Sequence, residues 1–342
     1  MLHYGLDVHT KYTTYHALDD AGRLVAEGRV ANSREEFEQL FAGHPGPCRA
    51  TMESCIAWPH VYELIWDLVE EVQLAHPLAA KLIAWNHVKT DRLDARALAI
   101  LLRSDLIPQA YLAPREIRDL RALVRHRLKL VQLRAVVRNT THHVLFRTGH
   151  QRAVSDLFGV RGRNWLRDLP LDPVDRNIVA RNLVAADSFN SLIADADREI
   201  RNTLLPHPAY ALLQTIPGVG PLIAAICIAE IGDVKRFPSA KQVVSYAGLV
   251  PSEYSSGGKV RRSHITRVGS RVLRWAAIEA AFHFCRKVPA AEARYARIRR
   301  ERGAGVALVA TAANVLRVVH GVWISGRPCQ AGLAPPVRPL VS

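Results

Sequence analysis

The stretch "LHYGLDVHTKYTTYHALDDAGRLVAEGRV", residues 2–30, decides the fold of the N-terminal part of the chain. It begins with an apolar run that ends near Asp7 and continues with a segment rich in β-branched and aromatic residues. The turn sequence "DDAGR" then separates that segment from a third run, "LVAEGRV". Short runs of this kind separated by turn residues predict three strands joined as a meander.

The next segments alternate between helix and strand. "NSREEFEQLF" predicts a helix with Ser33 as its N-cap and Glu36 three residues later, the pattern of a capping box. "CRATMES" and "VQLAH" predict a fourth and a fifth strand on either side of the helix "WPHVYELIWDLVEE". A short helix, "PLAAKLIAW", and a longer one that starts near Asp91 follow. The order βββαβαβα predicts an α/β domain with a mixed sheet and helices on its faces, the plan of the ribonuclease H-like fold.

Charge is distributed unevenly along the chain. The formal net charge is +15, but residues 1–110 carry a net of −5 and residues 111–342 a net of +20. A basic majority attracts a polyanion through counterion release. The same polyanion would repel an acidic domain unless its carboxylates hold metal ions. The asymmetry therefore favours a nucleic-acid partner, and the alternative is a basic surface that is simply solvated.

The apolar runs, the N-terminal pattern and the cysteine content indicate the cellular compartment of the protein. No run of about 18 apolar residues predicts a transmembrane helix, and the N-terminus lacks the pattern of a secretory signal. The five cysteines are scattered, odd in number and without CxxC spacing. We therefore expect a cytoplasmic protein with no membrane partner and no structural zinc.

The pattern predicts three domains and a tail. Residues 1–110 form the α/β domain, and residues 111–205 form an elongated basic helical module that binds nucleic acid and mediates oligomerisation. Residues 206–326 form a mostly helical C-terminal domain, and the Pro-rich residues 327–342 form a disordered tail.

Basic side chains dominate the first part of the helical module. Residues 115–147 contain nine basic and only two acidic residues, with apolar residues at helical spacing on one face. We expect some of the arginines to contact RNA or DNA, and select Arg125, Arg127 and Arg134.

Four carboxylates occupy positions that suit a metal site. Asp7 and Glu53 lie at the ends of predicted strands, and Asp91 and Asp94 share one face near the start of a helix. Mg²⁺ prefers carboxylates together with water and phosphate oxygens, and two such ions can polarise a phosphodiester. Each acid taken alone has a structural alternative, such as the favourable interaction of Asp91 and Asp94 with a helix dipole.

Two glycines precede an apolar helix in the C-terminal domain. "TIPGVGPLIAAICIAEIGD" places Gly218 and Gly220 before a segment rich in Ala and Ile. Glycines there let backbone N–H groups point outward at a helix N-terminus, which suits a phosphate. The pattern resembles the helix-hairpin-helix motif that holds DNA by its backbone; the alternative is a tight turn before a buried helix.

A serine–glycine stretch, "EYSSGGKVRRSHITRVGSR", occupies residues 253–271. Ser255 and Ser256 precede Gly257 and Gly258, and we expect the glycines to form a mobile, uncrowded loop. Such a loop alone is typically a linker. The basic residues that follow suit a phosphate more than an acyl group, and they are Lys259, Arg261, Arg262, Arg267 and Arg271. Of these, we select Lys259, Arg261, Arg262 and Arg267 as nucleic-acid contacts.

Together these motifs resemble the DEDD-type insertion-sequence transposases, the group that includes insertion-sequence families 110, 116 and 902. The resemblance rests on "YGLDVHTK", "MES", "KTDRLDARALA", the long segment from "LLQTIPGVG" to "LRWAAIEAA", and "RYARIRRERGAGVALVATAANVLRVV". It covers nearly the whole chain. It places Asp7, Glu53, Asp91 and Asp94 on the family's DEDD positions and Ser256 on its catalytic serine. Ser263, His264 and Ser270 depart from residues that are frequent in the family.

The resemblance implies a function. The N-terminal domain would be similar to a Holliday-junction resolvase, and the enzyme would be a serine recombinase guided by a bridge RNA. Two Mg²⁺ ions on the four acids would activate the scissile phosphate, and Ser256 would attack it to form a phosphoserine link. A homotetramer, or a dimer, would exchange strands between element ends and target DNA. Two alternatives remain: a metal-dependent nuclease or resolvase without a covalent intermediate, and a non-enzymatic nucleic-acid-binding regulator.

Overall fold

The computed structural model describes residues 1–44, 46–77, 79–80, 90–256 and 259–329, with the backbone alone for 254–256 and 259–263. The chain divides into two compact units, Met1–Ala113 and Pro114–Ser342. The further division of the second unit at 205/206 stays a prediction.

A five-stranded mixed sheet forms the centre of the first unit. Its order is β3-β2-β1-β4-β5; β1, β2 and β3 pair antiparallel, whereas β4 runs parallel to β1 and to β5. The predicted meander and the two later strands are therefore confirmed. The strands are β1 (Leu2–Val8), β2 (Tyr12–Leu18), β3 (Leu24–Ala31), β4 (Cys48–Glu53) and β5 (Glu71–Ala75).

Three helices of the described residues accompany the sheet. Helix α1 (Arg34–Ala42) begins after Ser33, whose hydroxyl accepts a hydrogen bond from the Glu36 N–H, so the predicted cap is confirmed. Helix α2 (Trp58–Ile65) joins α1 in covering a core that includes Tyr4, Leu6, Phe37 and Met52. Helix α3 (Asp91–Arg103) begins at Asp91 as predicted. The short helix predicted at 77–85 falls largely outside the described residues.

The second unit is mostly helical, as predicted. Two long helices, α4 (Arg115–Arg147) and α6 (Pro173–Leu204), pack along each other, with the shorter α5 (Val160–Asp168) between them in the chain. The remaining helices are α7 (Pro208–Leu213), α8 (Pro221–Ile231), α9 (Ala240–Tyr246), α10 (Arg271–Lys287), α11 (Pro289–Arg302) and α12 (Ala304–Ser325).

One hydrophobic core runs through much of this unit. Leu120 of α4 and Ile200 of α6 belong to the same buried cluster as apolar residues of α8 to α12. Helix α8 lies at its centre, because every residue from Ala224 to Ile231 is buried. Glu230 is the only acidic or basic residue in this buried stretch of α8, and it is 1% exposed.

The stretch around the two serines departs from the prediction. Ser255 and Ser256, expected in a mobile loop, lie instead in an antiparallel hairpin of β6 (Pro251–Ser256) and β7 (Lys259–Ile265). Ser256 ends β6 and pairs with Lys259, which begins β7. Gly257 and Gly258 lie outside the described residues. The expectation of a loop is therefore wrong for Ser255 and Ser256, and for the two glycines it stays a prediction.

The C-terminal segments also differ in part from the prediction. Helix α12 is long and apolar enough to cross a membrane by length and composition, and 56% of its most apolar window is buried inside the unit. That burial fits a core helix. The predicted disorder does not begin at 327, because the Cys329 N–H donates a hydrogen bond to Thr215 Oγ1 at 2.9 Å. The rest of the predicted tail, from residue 330, lies outside the described residues.

Candidate metal site and serine hairpin

Asp7 lies near the end of the central strand, on the face that α3 covers. Gly5 precedes it by two residues and therefore points to the same face. A Cβ atom at position 5 would lie 2.0 Å from the Ala95 carbonyl oxygen and 2.4 Å from the Ala99 nitrogen. Only glycine allows the helix so close to the strand, and this approach brings the first turn of α3 to Asp7.

Asp7, His9 and Asp91 form a cluster that could hold a cation. His9 Nε2 lies 3.1 Å from Asp7 Oδ2 and 3.2 Å from Asp91 Oδ2. One ligand atom from each of the three residues lies within 4.8 Å of the others. All three side chains are partly exposed, so a cation and a substrate oxygen can reach them.

Asp91 receives two further hydrogen bonds from the antiparallel strands. The Tyr12 hydroxyl donates to Asp91 Oδ2 at 3.4 Å, and Arg29 Nη2 donates to the same oxygen at 3.3 Å. The Arg29 guanidinium also lies over the Tyr12 ring, 4.7 Å from its centroid. The Arg29 guanidinium therefore offsets part of the negative charge of Asp91, which would otherwise repel Asp7.

Burial raises the pKa of Asp7 above its ordinary value, and the charges of Asp91 and Asp94 raise it further, whereas His9 opposes the shift. The ionised form of Asp7 is thus disfavoured in the protein alone, mainly because burial removes its hydration. A divalent cation would offset this effect, because an opposite charge favours the ionised form of a carboxyl group.

The other two predicted acids lie near this cluster but outside it. Asp94 is close enough to raise the pKa of Asp7. Glu53 ends β4 directly after Met52, the residue that pairs with Leu6, so its backbone lies beside Asp7 on the neighbouring parallel strand. Among the described residues, neither belongs to the group of three that could hold one ion.

Sequence reasoning missed His9, Tyr12 and Arg29. The sequence could have indicated His9, because it follows Asp7 by two residues and therefore lies on the same side of an extended chain. No pattern in the sequence indicated Tyr12 and Arg29, because their approach to Asp91 depends on how β2 and β3 pair. A cavity of about 580 Å³ opens beside Asp91, and Arg29 and Arg92 line it.

The base of the serine hairpin is held tightly against α9 and α10. Arg267, one of the predicted nucleic-acid contacts, is exposed, has a left-handed backbone (φ 55°) and donates its N–H to the Gly248 carbonyl at 3.2 Å. A Cβ atom at Gly269 would lie 2.1 Å from the Tyr246 carbonyl oxygen. Arg274 Nη1 donates to the carbonyls of Ala247 (2.9 Å) and Arg267 (3.2 Å).

The structure gives only the backbone around the predicted nucleophile. Ser255 pairs with Val260, and Tyr254 pairs with Arg261. The predicted basic residues Lys259, Arg261 and Arg262 lie on β7, and nothing is described of their side chains.

Glu230 connects this region to the long helix α4, a link that the sequence did not reveal. Arg125 binds Glu230 through two hydrogen bonds of 2.9 and 3.0 Å. The Ser270 hydroxyl, which caps α10 by accepting from the Leu273 N–H, donates to the same carboxylate at 2.9 Å. Ser270, the residue that caps α10, is thereby tied to α4 and α8.

Each of the three arginines selected as nucleic-acid contacts has a hydrogen-bond partner within the protein. Arg127 makes two hydrogen bonds to Asp197, of 2.8 and 3.1 Å, and Arg125 pairs with Glu230. Few acids lie within residues 115–147, but helices α6 and α8 supply the carboxylates that bind both arginines. Arg134 donates to the neutral Asn190 amide at 2.7 Å.

The two predicted phosphate-binding glycines have different surroundings. Gly218 has φ 87°, and a Cβ atom there would lie 2.4 Å from the Ala280 carbonyl oxygen, so it allows the loop to pack on α10. Gly220 precedes α8 and faces open space. A cavity of about 670 Å³ adjoins this loop, bordered also by Trp275 and Lys287.

Comparison with known proteins identifies the family. A family model for DEDD-type IS110 transposases matches residues 4–149, and one described as "Transposase IS116/IS110/IS902 family" matches residues 210–296. The first match contains the Asp7–His9–Asp91 cluster, and the second contains the serine hairpin.

Relatives agree with these models. The chain is 29% identical over 229 residues to a "putative transposase y4qE" of Sinorhizobium fredii, covering 66% of this chain and 55% of the relative. It is 27% identical to the "transposase for insertion sequence element IS1328" of Yersinia enterocolitica, covering 81% of this chain and 82% of the relative. The IS1111A transposase of Coxiella burnetii is 26% identical, with coverages of 83% and 78%. This chain therefore belongs to the IS116/IS110/IS902 family of DEDD-type insertion-sequence transposases.

Proposed function

We propose that this protein is a recombinase of an insertion sequence, which cleaves and rejoins DNA strands with a divalent metal and a serine nucleophile. The observation that carries the proposal is the approach of Asp91 to Asp7, made possible by Gly5 beneath α3. The sheet order, with three antiparallel strands followed by two parallel ones, supports a ribonuclease H-like, resolvase-like fold for the first unit.

The donor atoms fit a hard divalent cation. Two carboxylates and an imidazole cluster at the open end of a strand, and burial raises the pKa of Asp7, so that a bound cation would favour its ionised form. Asp7, Asp91 and either Glu53 or Asp94 would hold Mg²⁺, and all four acids would hold two ions. Bound Mg²⁺ supplies charge stabilisation to the scissile phosphate and to the oxygens that attack and leave. His9 then either serves as a ligand or is displaced by the metal.

Ser256 is the proposed nucleophile. Its Oγ attacks the scissile phosphorus and releases its proton, the P–O3′ bond breaks, and the departing 3′ oxygen takes up a proton. The products are a 5′-phosphoserine link and a free 3′-hydroxyl. The reverse reaction with an exchanged 3′-hydroxyl rejoins the strands without water. Lys259, Arg261, Arg262 and Arg267 would stabilise the charge on the phosphate oxygens.

The substrate and partners follow the same proposal. DNA of the element ends and of the target is the substrate, and a structured bridge RNA selects it by base pairing. The net charge of +20 over residues 111–342 supports binding of a polyanion. The Gly218–Gly220 loop, with Lys287 at its cavity, would contact a phosphate backbone. A homodimer or homotetramer would bring two duplexes together.

One second candidate is favoured by a specific observation. The Asp7–His9–Asp91 cluster needs nothing from the serine hairpin to hold a cation. A nuclease or resolvase that hydrolyses DNA would therefore use the same cluster and leave the serines without a chemical role.

A denaturing gel separates the two candidates. The full-length protein is incubated with Mg²⁺, its RNA and DNA labelled at the 3′ end, and the label is followed into protein. The proposal expects a covalent adduct that maps to Ser256, is absent in Ser256→Ala and Asp7→Asn, and persists in part in Ser255→Ala. Efficient cleavage by the wild type without any adduct would establish the hydrolytic candidate instead.

A further inference from the structure

Helix α11 concentrates positive charge that the described protein does not neutralise. Five of its fourteen residues are arginines, and only Glu292 and Glu301 are acidic. Among the described residues, none of these arginine side chains has an ion pair or a hydrogen bond. The arginines are Arg294, Arg297, Arg299, Arg300 and Arg302.

Two arginines interact electrostatically where α11 packs against α12. Gly303, with φ 86°, reverses the chain between the two helices, so they pack as a hairpin. Arg294 of α11 and Arg317 of α12 are both partly buried and lie close enough for their charges to interact. Arg294 Nη1 is buried and has no hydrogen-bond partner in the part of the chain that the structure describes.

This arrangement is unfavourable for the protein alone. Burial lowers the pKa of the Arg294 guanidinium, and the charge of Arg297 lowers it further. Burial also lowers the pKa of Arg317, and Arg294 adds to that effect. Arginine remains charged in proteins, so the repulsion and the lost hydration are not relieved by loss of a proton.

Other arginines of the same unit show what a structural role looks like. Arg125 and Arg127 each make two hydrogen bonds to a carboxylate of a neighbouring helix. Arg163 does the same with Asp187. In these three pairs a neighbouring helix supplies an acid, whereas no such acid is described at Arg294 and Arg317.

We propose that Arg294 and Arg317, with Arg297 at the rim, bind a phosphate of the nucleic-acid backbone at the junction of α11 and α12. A phosphodiester oxygen would accept hydrogen bonds from the Arg294 guanidinium and place negative charge between the two guanidinium groups. The exposed arginines farther along α11 would continue the contact along the strand. The proposal rests on the proposed function only for the class of ligand, and DNA and RNA present the same chemistry here.

Salt dependence of binding is the first test. Affinities of the full chain for a labelled DNA duplex and for a labelled structured RNA are measured between low and moderate salt, with EDTA present so that no cleavage occurs. A plot of log K against log salt concentration has a negative slope. We expect Arg294→Gln/Arg317→Gln to reduce the magnitude of that slope by about 2, since each lost phosphate contact removes about 1. The ligand that shows the change identifies the source of the phosphate.

The control removes the same charge elsewhere. Arg23 and Arg198 are exposed and already paired with Asp19 and Asp195. Arg23→Gln/Arg198→Gln should therefore leave the slope near that of the wild type. Equal slopes in both double variants and in the wild type, with DNA and with RNA, would overturn the proposal.

Thermal stability gives a second readout that a structural role would not produce. We expect Arg294→Gln/Arg317→Gln to melt at a higher temperature than the wild type in phosphate-free buffer, because the repulsion is gone. Inorganic phosphate should raise the melting temperature of the wild type more than that of the variant. A lower melting temperature of the variant, with no loss of the phosphate effect, would show that the arginines serve the fold instead.

Binding in EDTA does not depend on catalysis. One experiment can therefore contradict the phosphate site at Arg294 and Arg317 without contradicting the proposed serine mechanism, and the reverse also holds. Absence of a covalent adduct would contradict the serine mechanism and leave the slopes interpretable. A second copy of the chain could also bring its acidic N-terminal unit to these arginines. Loss of self-association by Arg294→Gln/Arg317→Gln, with unchanged nucleic-acid slopes, would overturn the proposal in favour of that contact.

Discussion

Gly5 of β1 lies directly against the backbone of Ala95 in α3, where a Cβ atom would be 2.0 Å from the Ala95 carbonyl oxygen. This contact positions the two halves of the candidate metal cluster, because Asp7 follows Gly5 by two residues and Asp91 precedes Ala95 by four. The metal cluster therefore depends on a residue that carries no side chain.

Gly5→Ala should separate α3 from the sheet. Overpacking of a core contact costs about 1–3 kcal/mol, so we expect a loss of that size in the free energy of unfolding together with loss of DNA cleavage. Gly321→Ala is the matched control, since Gly321 lies in α12 with open space around it. Urea unfolding and a cleavage assay check both variants. A Gly5→Ala protein with wild-type stability would contradict this account of the packing.

Asp7→Asn should stabilise the metal-free protein while abolishing cleavage. The pKa of Asp7 is raised in the folded state, so its ionisation disfavours folding as the pH rises through that pKa. At pH 7 in EDTA the variant should melt about 3 °C above the wild type, and the difference should disappear in acid, where both side chains are neutral. Added Mg²⁺ should raise the melting temperature of the wild type alone. Equal Mg²⁺ binding by both proteins in calorimetry would count against the cluster as the metal site.

Arg125→Ala should destabilise the second unit strongly. It leaves Glu230 buried, 1% exposed, without the guanidinium that binds it. Removing one partner of a buried pair costs about 3–5 kcal/mol, and we expect the lower end because the Arg125 side chain is half exposed. Urea unfolding of the full chain measures the loss.

The double variant Arg125→Met/Glu230→Leu is the companion experiment. It removes both charges and should recover much of the lost stability, because no uncompensated charge remains. Arg198→Ala, at an exposed pair, should change the unfolding free energy by less than about 1 kcal/mol. A double variant no more stable than Arg125→Ala would show that the pair is not the source of the effect.

Arg134 and Arg127 should respond differently in RNA binding. Arg134 donates to a neutral amide, so its charge remains available to a phosphate, whereas the charge of Arg127 is paired with Asp197. We expect Arg134→Gln to reduce the salt slope of RNA binding by about 1 and Arg127→Gln to leave it nearly unchanged. The reverse ranking, measured in folded variants, would contradict this division between the two arginines.

Local patterns were enough to predict much of the first unit. The strands β1 to β5, the cap at Ser33 and the start of α3 at Asp91 all follow from periodicity and turn chemistry within a few residues. The proximity of Asp91 to Asp7 also follows, since both acids lie at the ends of neighbouring elements.

Long-range pairing explains what the sequence could not reveal. Whether an arginine binds RNA or a distant carboxylate depends on which helix packs beside it, as Arg125 and Glu230 show. The β6–β7 hairpin was missed because serines, glycines and arginines have low strand propensity, and pairing across the hairpin overrides that preference.

The link between Arg125 and Glu230 also constrains how the chain folds during synthesis. The two residues are 105 positions apart, so α4 leaves the ribosome well before its partner exists. Helix α8 in turn would bury an unpaired carboxylate if it collapsed without α4. The second unit should therefore fold as one cooperative block only after Glu230 has been made, and a chain terminated before that point would present the apolar face of α4 to chaperones and proteases.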